Sequence, residues 1–491
     1  MKSISYLFFP VLLGIAVNTQ AQDPMLFYYM ETIPQSNRVN PALQPRANAF
    51  LMGPAIRFNL NSDFAVKDIL QKNGNQWYSP IEKGFDFDKF RKAVGKKSTM
   101  LNASAEVDFW GFGFRTAKGK GYFTFELSEH VVAQTALPTD FFNIVNEGFP
   151  DGATYDFSPM RMKGMSYLQI LIGYSRVIND KLTIGVNLKP ILGQVAFTTD
   201  IKKFTLNTSV KEWNVDVEGD VYSSIPIEPL SEYSSKNNSD EDFPEIKKQN
   251  LDAGDYVKKY LSLKNPGIAI DLGANYKINE RWEVSAALNN LGFIHWGQDL
   301  NGLTFNGNYV FNGINHDVTD DDTDAIEALG DSLKNAIDYR THHKKFNTTL
   351  APVLYVGGTY RITEAISVGL LSRSTFWKKG YRQSFNLSMN LQPYSFVAFT
   401  IGVNQQIKGN TYLGAGFCLN AGPFQFYLVS DYIPIRYSTI RIDNGNEMGN
   451  EIPFIPERQK EVVIRTGFNI LFGQHGYQNR PMLDKGRSSW N

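Results

Sequence analysis

Apolar and polar side chains alternate along much of the chain, in units of a strand, a tight turn and a second strand. The clearest unit covers residues 271–289. Leu272, Ala274, Tyr276 and Ile278 fall in one phase, and Asp271, Gly273, Asn275 and Lys277 in the other. After the turn Asn279-Glu280-Arg281, the residues Trp282, Val284, Ala286 and Leu288 alternate with Glu283, Ser285, Ala287 and Asn289. Successive strand side chains point to opposite faces, so this unit reads as a hairpin with one apolar and one polar surface. Residues 173–185 and 357–369 align with it, and a glycine precedes the turn at the same distance in all three (Gly173, Gly273 and Gly357). Hairpins of period two repeated along a chain predict an antiparallel barrel.

A soluble sandwich would show the same alternation, and the start of the chain separates the two. Met1 to Ala21 reads as a secretory signal cleaved after Ala21: Lys2 supplies the positive start, residues 6–17 the apolar core, and Thr19-Gln20-Ala21 the cleavage site. That core is too short to span a bilayer, and no later segment approaches the roughly 18 to 20 apolar residues of a membrane helix. The single cysteine, Cys418, excludes a lipid anchor after the signal and an intrachain disulfide. In an outer-membrane barrel the apolar phase faces lipid, which accounts for Tyr276, Trp282 and Trp296 as interface aromatics. Trp282 and Trp296 share a phase, and their spacing corresponds to roughly 35 Å along the membrane normal at a tilt near 40°.

The fold class expected is all-β, a transmembrane antiparallel barrel of about fourteen strands (12 to 16). The signal covers 1–21, a plug or periplasmic segment 22–49, the barrel 50–473 and a periplasmic tail 474–491. Short turns at Asn179-Asp180, Asn279-Glu280, Thr363-Glu364, Gln392-Pro393-Tyr394 and Ala421-Gly422-Pro423 belong on the periplasmic side. The long polar connections, near 132–163, 218–264, 299–345 and 435–460, then lie outside. Residues 200–222 read as a hairpin that either projects from the outer rim or adds two strands. Asp86 to Val94, Pro138 to Glu147 and Asp324 to Ala336 read as short amphipathic helices in the loops, either packing there or meeting a ligand at the mouth.

The segment after the signal carries a more specific pattern. Residues 30–42 end in Asn40-Pro41-Ala42 and are followed by Gly53-Pro54. This opening resembles that of a Bacteroidetes-type family of uncharacterised outer-membrane barrels, similar to the long-chain fatty acid transporter group and to accessory barrels of gliding and secretion systems. The resemblance extends to Gly185-Val186-Asn187-Leu188-Lys189-Pro190 and to the closing strand at 464–473, and it implies a fold and a location. The chain departs from it in a polar tail after Phe472. Asn40-Pro41 suits a rigid turn, because proline fixes φ and the Asn side chain can bond nearby backbone. That turn belongs either to a plug in the lumen or to a periplasmic lead into the first strand.

Charge and chemistry narrow the function. Lys plus Arg and Asp plus Glu balance at 49 each, so no basic field for nucleic acid exists. Gly164-Met165-Ser166-Tyr167-Leu168 fails as a nucleophile elbow at its last position. A phosphate loop fails because Phe114 stands where its first glycine would precede Gly119-Lys120. His342 and His343 are adjacent and point apart in a strand, and Asp320-Asp321-Asp322 with Asp324 lacks the EF-hand pattern and its glycine. Cys418 reads as a small lumen residue. No enzyme, metal site or cofactor is expected. The polar phase carries the candidate lumen residues Lys189, Asp271, Lys277, Glu283, Asn289, Arg373, Arg465 and Asn469, which either line an open pore or pair with one another and with the plug. Arginine should be tolerated at Ser285 and not at Val284. The expected function is passive transport of a small hydrophobic ligand across an outer membrane whose lipid the barrel contacts. The alternative is a sealed barrel that docks an envelope protein partner.

Overall fold

A computed structural model describes residues 24–474 apart from 74–75, 79–84, 95–96, 117–118, 235–246, 248, 251, 312–338, 378–379, 408–410, 434–436, 443–449 and 457–459. The signal, Asp320-Asp321-Asp322 with Asp324, the helix expected at 324–336 and the tail beyond Gln474 fall outside the described residues.

Fourteen antiparallel strands close into a barrel. They are β1 (Ala47–Ser62), β2 (Ser98–Arg115), β3 (Gly121–Pro138), β4 (Arg161–Val177), β5 (Leu182–Thr208), β6 (Pro266–Lys277) and β7 (Trp282–Trp296). The second half comprises β8 (Val353–Arg361), β9 (Ile366–Trp377), β10 (Gly380–Tyr394), β11 (Val397–Gln406), β12 (Thr411–Ala421), β13 (Phe424–Ser430) and β14 (Glu461–Gln474). Closure comes from β1 pairing with both β2 and β14, with Ala49 opposite Phe114 on one side and Phe472 on the other. Closing the sheet leaves no edge, so every strand backbone finds partners within the wall. The short turns after β2, β4, β6, β8, β10 and β12 share one end with the start of β1 and the end of β14, as the turn chemistry predicts. The Asn179 and Asn279 side chains fix two of them, each accepting from backbone N–H groups two and three residues on, at 2.8–2.9 Å.

Residues 200–222 form a projecting hairpin and add no strand to the barrel. The upper half of β5, from Ala196 to Thr208, pairs with the strand Trp213–Ser224, which pairs in turn with Leu300–Phe311 beyond the rim. The loop helices α1 (Phe87–Ala93) and α2 (Thr139–Glu147) stand where the spacing put them. Asp86 caps α1 by accepting from Lys89 N. Their apolar faces meet: the Phe90 and Phe142 rings lie edge to face at 4.9 Å, and Phe90 is buried with Phe64 and Phe85. These helices pack on each other, the plainer of the two expectations.

The outer face carries an exposed apolar belt that includes Ile56, Trp110, Val186, Leu272, Leu370 and Ile401. Tyr276 and Trp282 lie on it, and Trp282 packs on Tyr360 at 4.7 Å. Trp296 does not. It is 0% exposed, turned inward, and its Nε1 donates to Thr348 Oγ1 at 2.9 Å. The reason is a β-bulge, since Asp271 of β6 stands opposite both Asn289 and Asn290 of β7, and Asn290 has φ 61. One extra residue reverses the phase above the bulge, so the spacing from Trp282 to Trp296 does not measure the belt.

Depth along the belt has a measurable consequence. Leu272→Arg, at the middle of the exposed run from Ile268 to Ile278, should cost about 2–4 kcal/mol, and Ile278→Arg beside the turn about 0–1 kcal/mol. Urea unfolding from lipid vesicles gives both values; equal costs would contradict the face or the depth assigned to them.

Candidate functional site in the lumen

The segment from Pro24 to Pro45 precedes β1 and lies against the inner faces of the strands. Prolines keep it from forming a long helix, and it folds as two short 3-10 turns, Met25–Tyr29 and Pro34–Arg38, with Pro34 at the first position of the second. Its first half is apolar. Met25, Leu26, Phe27, Met30 and Ile33 pack with Val353, Tyr355, Leu371, Cys418, Tyr427 and Val429, all buried, on the strands from β8 to β13. The start of the segment is tethered by Asp431, whose carboxylate accepts from Met25 N at 2.6 Å and Leu26 N at 3.1 Å. Burial pushes the Asp431 carboxyl up to about 6, against the opposing pull of Arg373 and the two backbone donors.

The second half is polar and faces β1 to β7 and β14. Arg38 donates to Asp108 at 2.8 Å and pairs with Glu106 and Glu126. Glu106 also pairs with Arg57, and Arg465 reaches Asp108 at 2.7 Å and Glu106 at 3.2 Å. Three arginines and three carboxylates thus share one buried cluster, with His130 beside Glu106 and stacked on Tyr167. Six charges removed from water persist only through such mutual pairing. Around it, Asn469 donates to Gln35 at 3.0 Å, Asn37 to Thr124 at 3.0 Å, and Asn289 to the carbonyls of Arg38 and Val39 at 2.9 and 3.1 Å.

The Asn40-Pro41 turn closes the segment. Asn40 Oδ1 accepts from Ala42 N at 2.9 Å, and its Nδ2 donates to the Tyr28 hydroxyl at 2.8 Å. The turn sits on Gly185 and Gly273, which are direct partners across β5 and β6. A Cβ at Gly185 would overlap the Pro41 carbonyl and approach Ala42 N to 2.7 Å; one at Gly273 would overlap Asn40 Oδ1 and approach Pro41 Cδ to 2.8 Å. The two strands can receive the turn only because both positions lack side chains.

The expected lumen residues fall in three groups. Arg465, Asn469 and Asn289 touch the segment or its ion cluster. Lys189 and Asp271 pair at 2.6 Å, and Asp271 also accepts from the bulged Asn290 N at 2.8 Å. Arg373 lies 3.6 Å from Glu461, and Glu283 is half-buried and accepts from Asn275 at 2.7 Å. Lys277 is exposed at the end of β6, beside the short turn. Ser285 faces inward but accepts from the Tyr28 hydroxyl at 2.8 Å. An arginine there meets the segment, so Ser285→Arg is not the mild change expected. His342 and His343 point apart, His342 toward Asp220 and His343 to the Leu300 and Leu230 carbonyls.

Sequence reasoning missed Arg38, Arg57, Glu106, Asp108, Glu126, His130 and the two glycines of the notch. Their signal was available: Glu106 and Asp108, and Glu126, Ser128 and His130, alternate along strands otherwise rich in aromatics. A cavity of about 50 Å³ remains beside the segment, lined by Arg38, Glu106, His130, Gln169, Lys189 and Asn289 among others.

A closed fourteen-stranded barrel with an apolar outer belt and a lumen occupied by its own chain defines an outer-membrane type of barrel. The chain belongs to a family of unknown function, DUF5723, whose model matches residues 41–431. No curated protein sequence matches it. Among solved structures it is similar to the toluene transporter TbuX of Ralstonia pickettii, at 11% identity over 89% of this chain and 93% of that one, with a TM-score of 0.39. It is also similar to the Pseudomonas putida toluene transporter TodX (9%, 89% and 93%, 0.38) and to a Pseudomonas aeruginosa FadL homologue (9%, 94% and 100%, 0.40).

Proposed function

We propose that the chain is a passive outer-membrane transporter or channel for a small hydrophobic molecule, held closed in this conformation by residues 24–45 acting as a plug. It reaches the membrane through the signal at 1–21. The observation that carries this reading is the two-sided seat of the segment. Its polar half is clamped by Arg38, whereas its apolar half covers an inner strip of Val353, Tyr355, Leu371, Tyr427 and Val429. Movement of residues 24–33 alone would bare that strip to a hydrophobic solute while the clamp holds. The barrel wall satisfies its own backbone, so it needs no plug to fold.

The second reading is a sealed barrel that docks an envelope protein. Its support is the buried ion cluster, which costs desolvation to break, and the hairpin that projects from β5. Removal of residues 24–44, with the signal retained, separates the two. A folded barrel that conducts in planar bilayers, where the full chain does not, supports the transporter; a folded deletion that stays closed defeats it and leaves the scaffold.

A further inference from the structure

A loop helix sits where the apolar belt ends. The helix α3 (Ala253–Tyr260) is capped by Asp252, which accepts from Asp255 N at 2.8 Å, and it leads through Leu261 and Leu263 into β6. Along β6 and the turn that follows, Ile268, Ile270, Leu272, Tyr276 and Ile278 point outward. From Ile278 to Ile268 the strand climbs about 25 Å at a tilt near 40°, the full height of a lipid-facing band. The helix therefore begins just above that band, at the end opposite the short turns.

Two independent features fix α3 to the outside of the wall and leave an apolar surface uncovered. Glu129 lies on the outward phase of β3, where a carboxylate facing hydrocarbon would be costly. It is satisfied by Ser166 at 2.6 Å, Gln194 at 3.0 Å and the Tyr260 hydroxyl at 2.6 Å, the last supplied by the helix. Beside this contact, Val257, Leu261 and Leu263 are exposed, Leu263 at 75%. Val257 and Leu261 lie one helical turn apart and share a face. Lys258 beside them has a highly exposed side chain, and Lys264 follows.

We propose that α3 and the turn after it form an interfacial anchor, with Val257, Leu261 and Leu263 inserted among outer-leaflet lipids at the boundary between acyl chains and headgroups. The apolar surface is continuous with the belt at Ile268 and Ile270, and lipid is the occupant that meets both. Lys258 and Lys264 extend their ammonium groups toward the lipid phosphates while their stems stay on the apolar side. The anchor holds residues 252–265 down against the wall beside β6.

The test uses the full chain with Cys418→Ser, reconstituted in phosphatidylcholine–phosphatidylglycerol vesicles and labelled with bimane at one cysteine at a time. Leu261→Cys and Leu263→Cys should be quenched most by a nitroxide carried near the lipid headgroup and be shielded from aqueous iodide. Ile270→Cys should respond most to a nitroxide deep in the acyl chain. Val210→Cys, at the exposed tip of the outer hairpin, should respond to iodide alone. Iodide quenching of Leu261→Cys and Leu263→Cys equal to that of Val210→Cys, without lipid quenching, would overturn the anchor. Absence of lipid quenching at Ile270→Cys would instead overturn the membrane reading on which the anchor rests.

Discussion

Gly273→Val, and separately Gly185→Val, should turn a closed barrel into one that conducts. Valine is at home in a strand, so neither change threatens the wall. What each removes is the room for the Asn40-Pro41 turn, because the added carbons would occupy the space of Asn40 Oδ1 or of the Pro41 carbonyl. At Gly185 the obstructing atoms are backbone, and at Gly273 the Asn40 side chain is backed by the rigid Pro41 ring and Ala42 N, so in both cases the turn must lift. Overpacking of this kind costs about 1–3 kcal/mol, and the lost Asn40 bond to Tyr28 adds roughly 1 kcal/mol. The open population should rise by about thirtyfold to several hundredfold, read as open probability in single-channel recordings. Gly358→Val provides the control, since a Cβ there meets only the Glu283 carbonyl at 3.9 Å. If Gly273→Val recordings match those of Gly358→Val, the notch does not seat the plug.

Arg38→Met should act at least as strongly by a different route. Glu106 and Asp108 keep Arg465, and Glu106 keeps Arg57, but the only side-chain partner of Glu126 in the cluster is Arg38 Nε. Docking the altered segment would leave Glu126 buried without compensation, a loss of about 3–5 kcal/mol. At roughly 1.4 kcal/mol per decade, the docked state weakens by a hundredfold to several thousandfold. Openings should appear in planar bilayers and residues 24–45 should become susceptible to protease added from the side of the short turns. The pair Arg38→Met with Glu126→Gln removes the stranded charge and should recover much of the closed state. An equally leaky double variant would mean that the arginine acts by shape and not by charge.

The wall was legible because a barrel strand writes its two environments into alternate residues. The hairpins expected at 173–185, 271–289 and 357–369 all stand in the wall, and apolar spacing marked the loop helices at 86–94 and 138–147. Trp296 was misread for a reason equally local in scale but invisible in the pattern. An extra residue at Asn290 reverses the phase, and asparagine accepts the positive φ of a bulge without any change in composition that would announce it.

The occupant of the lumen was only half legible. Asn40-Pro41-Ala42 identified a rigid turn, and the polar phase identified Arg465, Asn469 and Asn289 as inward. Which charge meets which could not be read, because Arg38 finds its carboxylates 68, 70 and 88 residues further on and shares two of them with Arg465 near the other end of the chain.

By itself, then, the alternation of side chains determined the antiparallel hairpins, their apolar phase and the places of their short turns, since each of these depends on residues two to four apart. Tertiary structure decided how the lumen is filled. Closure of β1 onto β14 brings Arg57, Glu106, Asp108 and Arg465 into one ring, and pairing of β5 with β6 sets Gly185 against Gly273. Only then do a salt-bridge cluster and a notch exist for the N-terminal segment to enter, because both are made of atoms from strands far apart in the chain.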